Sequence, residues 1–153
     1  MTTGLEQLAY DLSMRALAQQ ENLLTEVRAR TGLLLAATAV ATSLLGGRAL
    51  DDGKRTIVDL LAIAFALASL VLSVYVLAPK RDLTFALDGP AAYEFFASGQ
   101  AALVEAHRDL AYWNREAWEE NQVIIDSVIR CFKWSCYALV GAVILWSAGL
   151  TLQ

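Results

Sequence analysis

The sequence predicts an all-α integral membrane protein with three transmembrane helices, two of them continuing out of long cytoplasmic helices. Three observations carry this reading. The stretch Ile57 to Ala78, IVDLLAIAFALASLVLSVYVLA, holds 22 residues with a single charge, Asp59, near its start. As a helix it rises roughly 33 Å, the thickness of a hydrocarbon core. Two further uncharged stretches, Thr31 to Gly47 and Trp134 to Leu152, are each adjoined by polar sequence of helical period. Finally, 57% of the 153 residues are hydrophobic while the 18% that are charged crowd into particular segments, which is a membrane pattern and not that of a soluble domain.

The chain reads as one unit in five parts. Residues 1–30 are too polar for a signal peptide, which needs a short apolar core and a small-residue cleavage site. Leu5, Leu8, Leu12, Ala16, Leu23 and Val27 recur there at helical spacing, with Glu6, Asp11, Arg15, Gln20 and Glu26 elsewhere on the wheel, so the segment is an amphipathic helix. Nothing separates it from residues 31–47, the first span, so one long helix is expected to enter the membrane near Arg30. Gly46 and Gly47 should end that helix, and residues 48–55, RALDDGKR, should form a tight polar loop.

The second span, residues 57–78, is stopped by Pro79, with Lys80 and Arg81 as a basic stop at the surface. Residues 79–133 form a cytoplasmic helical region. In it, Asp88-Gly89-Pro90 marks a turn, Ala91 to Ala97 a short helix, and a long helix starts near Gln100 and runs without Gly or Pro as far as Gly141. That helix continues into the third span, residues 134–152, where Trp134 and Tyr137 sit at one end as interfacial aromatics do. Two spans is the alternative, if the last stretch lies against other protein. Arg28, Arg30, Lys80, Arg81 and Trp134 mark the membrane boundary.

Basic residues set the orientation. With the N-terminus inside, Arg15, Arg28, Arg30, Lys80, Arg81, Arg108, Arg115, Arg130 and Lys133 are cytoplasmic, and only Arg48, Lys54 and Arg55 are outside. Nine against three favours N-in and C-out in the inner (plasma) membrane. A net charge of -4 argues against nucleic acid as a partner, because phosphate binding needs a surplus of Lys and Arg. Cys131 and Cys136 provide neither a disulfide framework nor a metal quartet.

Small and hydroxyl residues fall on faces of the spans: Gly32, Ala36, Ala39 and Ser43 on the first, Asp59, Ala62, Ala66, Ser69 and Ser73 on the second, Ser135, Ala138, Ala142 and Gly149 on the third. Inside lipid, helices associate through such faces, because burial alone gives no drive there. The alternative is that Thr31, Thr38 and Thr42, or Asp59 with Ser69 and Ser73, line a water-filled path. Asp59 is within one turn of the outer surface, where it can be solvated or paired with Arg55.

The long cytoplasmic helix repeats every seven residues, at Val104, Ala111, Trp118, Ile125 and Phe132 and again at Leu103, Leu110, Ala117 and Ile124, a seam of coiled-coil type. A polar row, His107, Asn114 and Asn121, completed by Val128, runs along it. Such a row lowers stability and fixes register or partner number. Its members are expected to bond to Gln19, Gln20 or Asn22 of the first helix; a ligand-reading role for His107 is the alternative. A metal at His107 is disfavoured, because no His, Asp or Glu lies four residues away on either side. Tyr112, Trp113, Glu116, Trp118, Glu119 and Glu120 read as a solvated acidic face with aromatic anchors. No catalytic signature, cofactor motif or metal motif is present in the pattern, so an enzyme is not expected.

The segment Val27-Arg28-Ala29-Arg30-Thr31-Gly32-Leu33-Leu34-Leu35-Ala36-Ala37, leading from an amphipathic helix into a span, a hairpin, a second span and cytoplasmic helices, resembles the small bacterial membrane effectors of the SLATT and Pycsar-type transmembrane families. The chain is also similar in general look to small actinobacterial membrane proteins. The first resemblance covers roughly the first eighty residues, and implies a membrane-disrupting or pore-forming homo-oligomer under cytoplasmic control. Two function classes are therefore expected: an oligomeric assembly that conducts or perturbs the bilayer, or a non-conducting anchor whose helical seam recruits a cytoplasmic protein partner.

Overall fold

The computed structural model describes residues 3–47, 57–86, 88–99 and 102–151. Every described element is helical. Helix α1, Thr3–Ala41, is followed by a π-helical turn, Thr42–Gly46; α2 is Ile57–Leu77, α3 is Gly89–Gly99 and α4 is Leu103–Thr151. Three of these stretches, Gly4–Gly46, α2 and α4, are long and apolar enough to cross a membrane. The polar loop of residues 48–55, and with it Arg55 as a partner for Asp59, lies outside the described residues.

The first helical stretch closes at Gly46 with Gly47 as its cap residue, in right-handed helical angles of φ -59° and ψ -48°. One expectation about boundaries changes. Asp88-Gly89-Pro90 begins a helix where a turn was expected: the Ala91 amide donates to Asp88 Oδ1 at 3.5 Å and the Ala92 amide to the Asp88 carbonyl at 2.9 Å. An aspartate cap with proline in the first turn is a favoured helix start, since that turn has amides to satisfy and none that proline would remove.

The chain divides into two compact units, with α1 and α4 contributing to both. The charged unit is Met1–Thr25 with Lys80–Asp126. Its interior is built by Leu17, Gln20 and Leu24 of α1 facing Asn114, Ala117, Asn121 and Ile125 of α4. The 3- and 4-residue steps between these positions are what two helices need to keep one side together. α3 is held by aromatic packing: Phe95 and Phe96 lie 5.5 and 5.7 Å from Trp113 of α4, between ring centres.

The apolar unit is Glu26–Pro79 with Ser127–Gln153. α2 buries Asp59, Ala62, Ala66, Ser69, Ser73 and Val76, steps of three and four without exception. Facing positions on α4 are Ser135, Ala138, Ala142 and Trp146, and on α1 Val27, Thr31 and Thr38. Its core cluster is Ala62, Ala66, Ala142 and Trp146, so alanines bring the helices close and one indole fills the remaining space. A Cβ on Gly141 would stand 3.1 Å from Phe65 Cδ1, a second point where absence of a side chain sets helix approach.

Candidate functional site

The residues with polar chemistry form two clusters, one in each unit. In the apolar unit the hydroxyls turn inward. Ser135 Oγ donates to the Ser69 carbonyl at 2.7 Å, Ser69 Oγ to the Ser135 carbonyl at 3.0 Å, and Ser73 Oγ lies 2.8 Å from Ser135 Oγ. Thr38 Oγ1 donates to the Leu34 carbonyl at 2.8 Å and stands 3.5 Å from Ser69 Oγ; Thr31 Oγ1 donates to the Val27 carbonyl at 2.7 Å. All five side chains are buried. Asp59 is buried as well, close to Gly149, where a Cβ would come within 3.4 Å of its Oδ1.

This arrangement is a reciprocal knot. Each serine of the pair Ser69 and Ser135 gives its hydroxyl proton to the other's backbone, so the bonds tie α2 to α4 at a single level. The threonines, bonded to their own helix four residues back, present a methyl group and no spare proton. Hydroxyls bonded in this way hold helices together.

Thr42 differs from the other five hydroxyl and acid candidates: it lies on the π-turn and is exposed. So are Gly32, Ala36, Ala39 and Ser43, the small face expected to pack; the first helix buries its threonine row instead. Thr38, Thr42 and Ser43 share a cavity of about 350 Å³ with Ile63, Ala66 and Trp146.

In the charged unit, Asn121 is the hub. Its Nδ2 donates to the Thr84 carbonyl at 2.7 Å and to Gln20 Oε1 at 3.4 Å, and its Oδ1 accepts the Thr84 amide at 3.0 Å. An asparagine side chain thus treats one connector residue as a strand treats its neighbour, giving and taking one bond each. Gln20 Nε2 also donates to the Trp118 carbonyl at 3.0 Å and to Gln122 Oε1 at 3.1 Å. Asn114 Nδ2 donates to Ser13 Oγ at 2.9 Å, and Ser13 Oγ to the Tyr10 carbonyl at 2.8 Å. The His107 ring stacks on Tyr10, with centres 5.6 Å apart.

The row His107, Asn114 and Asn121 therefore meets α1, as expected, yet with partly different partners. Gln20 is used, whereas Gln19 and Asn22 are exposed. Ser13 and Thr84 are partners that sequence reasoning missed. Ser13 was findable: it precedes Gln20 by seven residues and so occupies the same side of the helix. Thr84 was not, because only the folding back of the connector brings it there. The seam also shifts: Trp118, assigned to the apolar row, is 37% exposed, and the buried positions centre on the asparagines with Ala117 and Ile125.

Of the boundary residues, Arg30 pairs with Glu26 one turn earlier and Arg28 is half-buried. Arg81 is exposed and Lys80 half-buried, while Trp134 is exposed and packs edge-to-face on Tyr137 at 5.8 Å. On the outside of α4, Glu119 accepts from Arg115 Nε at 2.9 Å and raises the guanidinium's pKa above its ordinary value through that hydrogen bond. Among the described residues no three His, Cys, Asp or Glu side chains gather in a way that could hold a metal ion. No protein-family model, curated protein or solved structure matches this chain.

Proposed function

We propose that this chain is a non-conducting membrane scaffold. Three spans anchor it in the plasma membrane, with the N-terminus and the charged unit in the cytoplasm, where α1 and α4 emerge as long helices offering their outer faces to partner chains. The observation that carries the reading is the fate of the hydroxyls. Thr31, Thr38, Ser69 and Ser73, four of the six residues that could line a water path, are buried and, with Ser135, bonded to one another or to their own helices. The nine-to-three excess of basic residues supports the orientation. A second reading, a pore formed by several copies, is favoured by the exposed hydroxyls Thr42 and Ser43 and by the resemblance to the SLATT and Pycsar-type effectors.

Cysteine accessibility tests both dryness and sidedness. In a Cys131→Ser, Cys136→Ser background, Ser98→Cys on exposed α3 is expected to react with a charged thiol reagent only after cells are permeabilised. Ser69→Cys is expected to react in neither state. Labelling of Ser98→Cys in intact cells reverses the orientation, and labelling of Ser69→Cys from either side replaces the scaffold by a water-filled path.

A further inference from the structure

The cavity of about 350 Å³ in the apolar unit lies between the last turns of the first helical stretch, α2 and α4. Ala39, Leu67 and Leu70 give it apolar walls, Thr42, Ser43 and Trp146 bring polar groups to it, and among the described residues no charged side chain lines it. A pocket of a few hundred cubic ångström between helices, mostly apolar with a few polar groups, is the usual form of a small-molecule site. Its polar groups have hydrogen-bonding capacity left over. The Trp146 side chain is 1% exposed, and its N–H has no acceptor. Thr42 and Ser43, exposed on the π-turn, bond to nothing among the described residues, whereas Thr31 and Thr38 of the same helix both bond back to a carbonyl four residues earlier.

These groups lie at one place. A Cβ on Gly46 would stand 3.4 Å from Trp146 Cζ2, 3.8 Å from its Cε2 and 3.8 Å from Thr42 Cγ2, so the indole edge that carries the N–H is turned to the π-turn beside Thr42. The turn itself, Thr42–Gly46, is a wider winding that is rare and recurs at functional sites. In lipid a helical Thr or Ser hydroxyl ordinarily bonds back to its own helix, and an indole N–H without an acceptor is costly. Donors left over side by side at one cavity call for an acceptor from outside the chain.

We infer that the cavity binds a neutral membrane lipid through a carbonyl oxygen, which accepts from Trp146 Nε1 and from the Thr42 hydroxyl. The inference rests on the membrane reading above, which makes lipid the medium that the cavity opens to. An indole only donates, so the ligand has to accept, and a carbonyl oxygen offers two lone pairs and has no proton of its own to place. A phosphate or carboxylate head is excluded by the walls, since no cation lines them and the charge would stay unpaired among apolar groups. Depth points the same way. Ser43 is four and Trp146 six residues inside the ends of their spans at residues 47 and 152, which is about 6–9 Å by the helical rise. A phospholipid head stays at the surface, whereas a carbonyl on an otherwise apolar chain or ring reaches that depth.

The test uses the full chain in dodecyl maltoside, isotope-labelled at its tryptophan nitrogens, with the Trp146 indole signal in the NMR spectrum assigned by its loss in Trp146→Phe. Methyl dodecanoate is expected to move that signal downfield and saturably, and dodecane, a chain of the same length without an acceptor, to leave it in place. Ala39→Phe, which fills the cavity from its exposed wall, should abolish the response with helix content unchanged. Thr42→Val should weaken apparent affinity about fivefold, the loss of one hydrogen bond. No movement with methyl dodecanoate, an equal movement with dodecane, or a response that survives both variants overturns the site. An equal movement with dioleoyl phosphatidylglycerol overturns the neutral ligand. Failure of the membrane reading is a separate observation: the chain then leaves the membrane fraction in alkaline carbonate, whatever the indole signal does in detergent.

Discussion

Replacing Asn121 with leucine is expected to destabilise the charged unit by about 1–3 kcal/mol, because the partners that the folded chain gives this side chain outweigh the general cost of a polar row and would lose their bonds. The side chain is 1% exposed and engages three groups: the amide and carbonyl of Thr84 and the side-chain oxygen of Gln20. Leucine fills similar volume but answers none of them, and the side-chain oxygen of Gln20, a buried residue, must then find water or stay unbonded while its Nε2 keeps Trp118 and Gln122. The connector at Thr84 should loosen first, because Asn121 holds both of its backbone groups. Amide hydrogen exchange at Thr84 is therefore expected to accelerate more than that of α4 around it. Asn114→Leu should be milder, because Ser13 keeps its bond to the Tyr10 carbonyl. Equal damage from the two substitutions would show that the row acts as one unit and that the connector contact is incidental.

Trp146→Ala is expected to have the largest effect of any single change in the apolar unit, about 3–5 kcal/mol. The indole is 1% exposed in a cluster whose other buried members are alanines, Ala62, Ala66 and Ala142. Small residues bring three helices close, and the one large ring fills what they leave. Deleting it opens a cavity that neighbouring alanine side chains are too short to refill. The indole edge also lies against Gly46, where a Cβ would stand 3.4 Å from Trp146 Cζ2, so the π-turn of the first helix is packed on the same ring. Trp146 Nε1 has no hydrogen-bond acceptor among the described residues. Trp146→Phe should then cost only about 1–2 kcal/mol, since it loses ring area and no hydrogen bond. Unfolding midpoints in mixtures of dodecyl maltoside and SDS measure both. A phenylalanine variant as weak as the alanine one would show that the indole N–H has a partner and that volume is not what counts.

Much of the helical layout was legible because period and length leave little freedom. The second span is the clearest case. Its face of Asp59, Ala62, Ala66, Ser69 and Ser73 is the buried face, since a lone uninterrupted helix with small residues at three- and four-residue steps has only one side that permits close approach. The first span shows where that rule stops. Smallness pointed to Gly32, Ala36, Ala39 and Ser43, but Thr31 and Thr38 are the residues buried. A threonine whose hydroxyl bonds to its own helix behaves at an interface as a compact apolar group, which a count of small residues does not register. In the charged unit the asparagine row and Gln20 could be read from spacing. Thr84 could not, because its position depends on how residues 80–86 fold back, and neither period nor composition governs that.

The proposed scaffold stands on a dry bundle, and ion flux through it is the most direct measure. Purified chain reconstituted into liposomes holding a small anionic dye, with a potassium gradient imposed, is expected to leave dye retention and membrane potential as they are in protein-free vesicles at every protein density. Dye loss, or discrete single-channel currents in planar bilayers that Thr42→Val or Ser43→Ala alters, would contradict the account and establish the pore formed by several copies.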